Sequence, residues 1–204
     1  MLTPVIVDYG GSNLRSVVKA FEWLGFDPRV VTTPEEVAVA PAVVLPGVGA
    51  AGQIMASLQS QGLDEALQEL ITSGRPFLGV CMGMQVLMDR SEEDGGQTCL
   101  GVLSGSVRRL PEGQKVPHMG WNTVRQVSAH PLWRGIPDES YFYFVHSYAV
   151  RPDATEVIAG QTDYGVSFAS AVVRENVFGT QFHPEKSGKL GLQLYRNFVE
   201  WASR

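Results

Sequence analysis

The chain has 204 residues, a formal net charge of −5 and only two cysteines, Cys81 and Cys99. That length suits one α/β domain with a substantial core. The cysteine count argues against a disulfide framework and fits a reducing compartment, and the scattered Lys and Arg residues speak against a nucleic-acid binder.

The chain opens on "MLTPVIVDYG", with no basic leader, and no window approaches the roughly 20 apolar residues of a membrane span. A soluble cytoplasmic domain is expected. "PVIVD" (Pro4 to Asp8) reads as a buried strand with the turn signal "YGGS" behind it. Leu14, Val17, Val18, Phe21 and Leu24 then recur at helical spacing, with Ser12 or Asn13 as cap and Gly25 as stop. "RVVT" and "AVVLPG" (Ala42 to Gly47) are further strands, and Leu63, Ala66, Leu67, Leu70 and Ile71 mark a second helix ending at Gly74. "PFLGV" follows, then a helix after Cys81. Strands alternating with amphipathic helices mean a parallel sheet covered on both faces. From about Gly101 the pattern changes to strands with few helices between them: "GVLSGSVRRL", "YFYFVHSYAV", "VSFASAVV" and "NVFGTQF". A last helix from near Ser187 should bury Leu190, Leu194, Phe198 and Trp201. The expectation is one domain, 1–204: a mostly parallel central sheet flanked by helices, with an antiparallel β extension in the second half.

Gly79-Val80-Cys81-Met82-Gly83 carries the most chemistry. A strand entering a helix through a cysteine between glycines has the logic of a nucleophile elbow, where the bend exposes the side chain. A helix N-terminus favours the thiolate, and the Met82 N–H can face a developing oxyanion. On spacing alone a buried structural cysteine fits equally, because strand–glycine–helix junctions are common in parallel sheets. Cys99 lacks such a setting and reads as structural. A thiol needs a base, and among the four histidines His183 is set apart by Glu185 two residues on. In an extended segment that spacing puts both on one face, so the carboxylate can orient the imidazole. An isolated His-Pro-Glu is more often a solvated strand end; beside an elbow cysteine it becomes base and orienter. His130, next to Pro131, reads as a surface residue in a turn.

"GVCMGMQ" together with "QFHPEKS" resembles the class I (triad) glutamine amidotransferases, whose sheet is flavodoxin-like. The likeness runs from "DYGGSNL" to the last helix, and "PGVG", "VPHMGWN" and "YFVHSY" narrow it to members serving histidine biosynthesis. The resemblance implies that Cys81 attacks the glutamine amide, that His183 moves the proton and that Glu185 holds the imidazole. A γ-glutamyl thioester is then hydrolysed to glutamate and ammonia. It implies an oxyanion site from the Met82 N–H and the loop Gly47-Val48-Gly49, and glutamine contacts from Gln85, Glu93, His146, Ser147 and Tyr148. Glu92, Glu93 and Asp94 would lie at the C-terminal end of a helix. No metal or cofactor is implied. The ammonia would pass to a separate (β/α)₈ cyclase subunit, in a heterodimer, for imidazole glycerol phosphate and aminoimidazole carboxamide ribonucleotide. Interface candidates are Asn13, Met119, Lys186 and Trp121, the last in a Gly-Trp-Asn loop. The chain departs from the pattern at Met82 in the elbow and at Ala51, where the family often has an aromatic. Two other readings stay open: an amidotransferase for another pathway, such as anthranilate synthesis, and a non-catalytic module binding phosphate at "DYGGSNLRS".

Overall fold

The computed structural model describes residues 2–11 and 13–204, so Ser12 as a cap lies outside the described residues. Strand β1 (Val5–Val7) is wholly buried and feeds α1 (Leu14–Trp23), whose inner face is Val17, Ala20 and Phe21. Asn13 occupies the N-cap position but caps no backbone N–H; its Oδ1 accepts from the Ser16 hydroxyl at 3.0 Å. Gly25, at φ 82°, ends the helix, and the Phe26 N–H folds back to the Phe21 carbonyl. Strand β2 (Arg29–Val31) follows. Helix α2 (Pro34–Ala38) was not expected, yet it has local causes: Pro34 starts it and the Thr33 hydroxyl accepts from the Glu36 N–H.

Next come β3 (Val43–Gly47), α3 (Ala51–Ser60), α4 (Leu63–Thr72) and β4 (Phe77–Cys81). Helix α3 is a second addition to the sequence reading. It buries Ala51, Ile54, Met55 and Leu58, but its Gly-, Ser- and Gln-rich remainder gives a weak periodic signal. Helix α5 (Met82–Gln85) is a single turn, shorter than expected. Val86, Leu87 and Met88 are completely buried, and their carbonyls accept from the N–H groups of Leu100, Leu103 and Gly101. Long-range backbone pairing therefore replaces a second helical turn. As a result Glu92–Asp94 do not end a helix. They join the short strands β5 (Arg90–Ser91) and β6 (Gln97–Thr98) through a 3-10 turn at Glu93–Gly95.

The second half supplies β7 (Gly105–Arg109), β8 (His118–Gln126), β9 (Ser140–His146), β10 (Tyr148–Pro152), β11 (Ile158–Asp163), β12 (Ser167–Arg174), β13 (Val177–Thr180) and α6 (Gly188–Ala202). "PHMGWN" is thus strand β8 rather than a loop: Met119 pairs with Val145 and Trp121 with Tyr143. In α6, Tyr195, Asn197 and Val199 are buried with Leu194 and Phe198, while Leu190 and Trp201 are half-buried.

The main sheet has nine strands in the order β2-β1-β3-β4-β13-β12-β11-β8-β9. The first five are parallel and the rest antiparallel. A smaller sheet runs β10-β7-β5-β6. In β1, β3, β4 and β13 every residue is buried, as a sheet covered on both faces requires. The decisive pairing is β13 beside β4, with Thr180 opposite Val80. It returns the end of the chain to the carboxyl ends of the parallel strands, where open α/β sheets hold their ligands.

Close packing at the elbow depends on three glycines. A Cβ at Gly47 would meet Met82 Cβ at 2.6 Å, one at Gly79 would meet the Gly83 carbonyl, and one at Gly83 would strike the Leu45 carbonyl oxygen. The obstacles at Gly79 and Gly83 are backbone atoms of buried elements, which cannot swing aside. Gly83→Ala should therefore lower stability by about 3 kcal/mol, or roughly 10 °C in Tm. Thermal unfolding followed by circular dichroism tests this, and an unchanged Tm would show that β3 and α5 are free to separate.

Candidate active site

Cys81 ends β4 and begins the turn into α5 at φ 55°, ψ −107°, a backbone conformation rare for a residue with a side chain. The glycines allow the bend, and the bend turns the thiol into a cavity of about 270 Å³. A cavity near this size suits a small metabolite. Its walls bring together ten of the residues expected from the sequence. Cys81, Met82 and Gln85 come from the elbow, Val48 and Gly49 from the loop after β3, and Glu93 from the 3-10 turn. His146, Ser147 and Tyr148 come from the β9–β10 junction, and His183 lies beyond β13. Gly47 does not line it; it pairs with Cys81 in the sheet and fixes where the loop departs.

His183 and Glu185 do not share a strand face. Pro184 starts a 3-10 turn over Pro184–Lys186, with His183 at its N-cap, and this turn carries Glu185 back under the imidazole. His183 Nδ1 bonds Glu185 Oε1 at 2.8 Å, and both side chains are almost fully buried, at 3% and 1% exposure. The second carboxylate oxygen accepts from the Tyr195 hydroxyl at 3.1 Å. Burial and the neighbouring Glu185 hold the Tyr195 phenol pKa well above its ordinary value, so it stays a donor. The histidine backbone is stitched down as well: its N–H donates to the Tyr143 carbonyl at 2.9 Å and its carbonyl accepts from the Ser187 hydroxyl at 2.6 Å.

With Nδ1 on Glu185, the other ring nitrogen faces the cavity. His183 Nε2 is buried and has no partner in hydrogen-bond geometry among the described residues, yet Cys81 is close enough to govern its charge. Burial alone would lower the imidazole pKa. Attraction to the nearby Cys81 sulfur, then the bond and charge of Glu185, outweigh burial and raise it to about 10. The imidazole therefore holds its proton at neutral pH.

The opposite wall uses the same residue type in the opposite state. His146 Nδ1 donates to the Tyr148 carbonyl at 2.8 Å, which leaves Nε2 to accept from His118 Nδ1 at 2.9 Å. Asn122 Nδ2 then donates to His118 Nε2 at 3.3 Å. Burial holds His118 down to about 4. Burial also holds His146 down, to about 3, with the charge of nearby His183 adding to it. Both are neutral at physiological pH, and this tautomer chain requires it. The Tyr148 carbonyl also accepts from Gln85 Nε2 at 2.9 Å, and the same amide group donates to Gln181 Oε1 at 3.0 Å. Gln181 Nε2 ends the chain 3.6 Å from Cys81 Sγ.

Sequence reasoning missed Gln181, Tyr195 and His118. Gln181 could have been found, since period-2 spacing puts it on the His183 side of the strand end; Tyr195 and His118 gave no local signal. His130 was placed on the surface and is not there. Its ring packs on Phe178 and Trp201, its Nδ1 accepts from the Leu132 N–H, and burial lowers its pKa to about 4. It caps a turn and has no part in the cavity. Cys99 is buried, and burial raises its thiol to about 11, which fits an inert structural role.

The interface candidates lie beside the site. Met119 and Trp121 sit on one face of β8 with 61% and 55% exposure. The Trp121 ring meets Tyr143 edge-on at 6.1 Å, and Lys186 Nζ lies 5.9 Å from the same tyrosine ring. Helix α1, which Asn13 precedes, packs against the Pro184–Lys186 turn.

Comparison with known proteins gives a consistent family. The pattern of the glutamine amidotransferase class-I family matches residues 5–201. The imidazole glycerol phosphate synthase subunit HisH of Dehalococcoides mccartyi (strain CBDB1) is 52% identical over 97% of this chain and 96% of its own. The HisH subunit of Moorella thermoacetica is 51% identical over 96% and 93%. Among solved structures, PurLQS from Thermotoga maritima shares the fold at TM-score 0.80 with 18% identity, covering 98% of both chains. A crystal structure of a glutamine amidotransferase matches at TM-score 0.78 with 22% identity, over 98% of this chain and 99% of that one.

The coupling between Cys81 and His183 has a direct test. In Cys81→Ala the sulfur's attraction is gone while burial remains, so the His183 pKa should fall clearly below about 10. NMR titration of the ring protons reads this. A value that does not move would mean that Glu185 alone holds the proton.

Proposed function

The chain belongs to the class-I glutamine amidotransferase family, and from that premise we propose how its cavity works. The chain is a glutamine amidotransferase, serving imidazole glycerol phosphate synthase in histidine biosynthesis, as relatives at about half identity over nearly the full length support. Cys81, His183 and Glu185 are the reacting triad in this reading. The observation that carries it is the buried Glu185–His183 pair beside a cysteine held at φ 55° on the cavity wall.

The steps follow from where the proton rests. Cys81 Sγ attacks the side-chain carbonyl carbon of glutamine, and the C=O electron pair moves onto oxygen. The Met82 N–H and an N–H of the Gly47–Gly49 loop meet that oxyanion; removing one such donor typically costs about 100- to 1,000-fold in rate. His183 passes its proton to the amide nitrogen, the C–N bond breaks, and ammonia leaves a γ-glutamyl thioester. Neutral His183 then takes a proton from water, the hydroxide adds to the thioester carbon, and the C–S bond breaks to release glutamate. Glu185 holds the ring orientation throughout and stabilises its positive form. Gln85, with Oε1 buried and unpartnered among the described residues, faces the bound amino acid. Glu93 takes the α-ammonium group, and the backbone at His146, Ser147 and Tyr148 forms the facing wall.

Ammonia is a nucleophile only while unprotonated, so it should pass to its acceptor without entering bulk water. The acceptor is a cyclase partner, which we place as a heterodimer against the exposed face of Met119, Trp121 and Lys186, with Asn13 beside it. No described helix is long and apolar enough to cross a membrane, in keeping with a cytoplasmic site of action.

Glutamate release from glutamine, measured with the chain alone and with the cyclase subunit plus its nucleotide ligand, tests the reading. Strong stimulation by the partner, abolished by Cys81→Ala without loss of complex formation, is the expected result. Turnover indifferent to the cyclase would assign the triad to another synthase, and no turnover at all would make Cys81 structural. Trp121→Ala should weaken cyclase binding at least tenfold by titration calorimetry, as for a typical aromatic anchor, with the Tm of the free chain little changed. Unaltered affinity would move the interface elsewhere.

A further inference from the structure

Glu93 has a second partner besides the cavity. Its Oε2 accepts a hydrogen bond of 2.7 Å from the backbone N–H of Ala51. Ala51 is the first residue of α3, directly downstream of the Val48-Gly49 segment that lines the cavity. No side chain caps α3 from its N-cap position, so the carboxylate satisfies an N–H that the helix itself leaves open. A bond to an ionised acceptor is roughly twice as strong as a neutral one.

The Glu93 backbone is itself firmly placed. The Glu93 N–H donates to the Ser91 hydroxyl at 3.2 Å, and the Gly96 N–H donates back to the Glu93 carbonyl at 3.1 Å. The loop after β3 is therefore held at two ends. Upstream, Gly47 pairs with Cys81 in the sheet; downstream, Ala51 is tied to Glu93. Between them lies Gly49, at φ 101°, a backbone conformation that favours glycine. A carboxylate has two oxygens, so Oε2 on Ala51 leaves Oε1 for a cation in the cavity.

We propose that Glu93 is a positioning residue for the oxyanion loop: sharing one carboxylate between the Ala51 N–H and the α-ammonium of glutamine, it fixes the loop's distance from the bound amide. The proposal rests on the glutaminase reading of the Cys81 cavity. Oxyanion donors act only within about 2.7–3.1 Å of the forming charge, and a misplacement of about 1 Å can cost roughly 100-fold. Substrate recognition and loop placement then depend on the same side chain.

The test separates the two bonds. Ala51→Pro removes the N–H and puts ring carbons in its place at a fully buried residue, at the helix position where proline is best tolerated. Ala50 already has the extended backbone, φ −99° and ψ 147°, that a residue before proline needs. In the cyclase-activated complex this variant should lose about 10- to 100-fold in kcat, with KM for glutamine within about threefold of the parent. Glu93→Gln keeps an acceptor for Ala51 but loses the charge, so its KM should rise about tenfold or more with a smaller kcat loss than in Glu93→Ala, which loses both. A folded Ala51→Pro variant with parental kcat, or one altered in KM alone, would overturn the proposal. Should circular dichroism show that Ala51→Pro does not fold, equal kcat values in Glu93→Gln and Glu93→Ala would overturn it instead. A parent chain without turnover is a different failure, because it removes the glutaminase reading itself.

Discussion

Everything at this site depends on how closely two stretches of backbone approach each other. The end of β3 and the first turn of α5 come within contact distance because Gly47, Gly79 and Gly83 carry no side chain. That contact forces Cys81 into a positive-φ bend, and the bend points the thiol at the cavity instead of into the sheet. The surrounding strands, buried on both faces, supply the burial energy that maintains the strain. The same contact places Gly47 opposite Cys81, which fixes where the Val48-Gly49 segment leaves the sheet.

Burial and close neighbours then sort three histidines, His183 and His146 in the cavity wall and His118 behind His146, into opposite charge states. His183 is nearly inaccessible, and without partners it would be neutral; the Cys81 sulfur and the Glu185 carboxylate reverse that. A buried carboxylate needs such partners, since an unpaired one would cost several kcal/mol. Glu185 has two, His183 and Tyr195. Across the cavity His146 and His118 have only a carbonyl and each other, and Asn122 beyond, so burial wins and they serve as neutral hydrogen-bond links. One wall carries a protonated imidazole. The other keeps backbone carbonyls and amides in place for a polar ligand.

Much of this was legible in the residues. The apolar runs of β1, β3 and β4, the amphipathic faces of α1 and α4, and the Cys81 elbow all follow from local pattern. The misreadings share a cause. The helix after Cys81 stops after one turn because Val86–Met88 find backbone partners at Leu100–Leu103, far along the chain. "PHMGWN" forms a strand because β9 offers it a full register. His130 is drawn onto Phe178 and Trp201, whose positions no local signal contains. Helix α3 was hidden because its buried residues are few and its remainder is polar and glycine-rich.

Sequence alone determined the chemistry: a cysteine between glycines, a His-x-Glu segment, and alternating strands and helices that put ligands at the ends of parallel strands. These are properties of residue type and short-range spacing. Tertiary structure decided the geometry and charge. The parallel pairing of β13 with β4 brings Gln181 and His183 to Cys81 across a hundred residues, and the 3-10 turn from Pro184 closes Glu185 onto the imidazole. Tyr195, His118 and the Glu93–Ala51 bond come from elements that meet only in the folded chain. Protonation followed from those meetings, because the charge of a buried group is set by its neighbours, and neighbours distant in sequence are chosen by the fold.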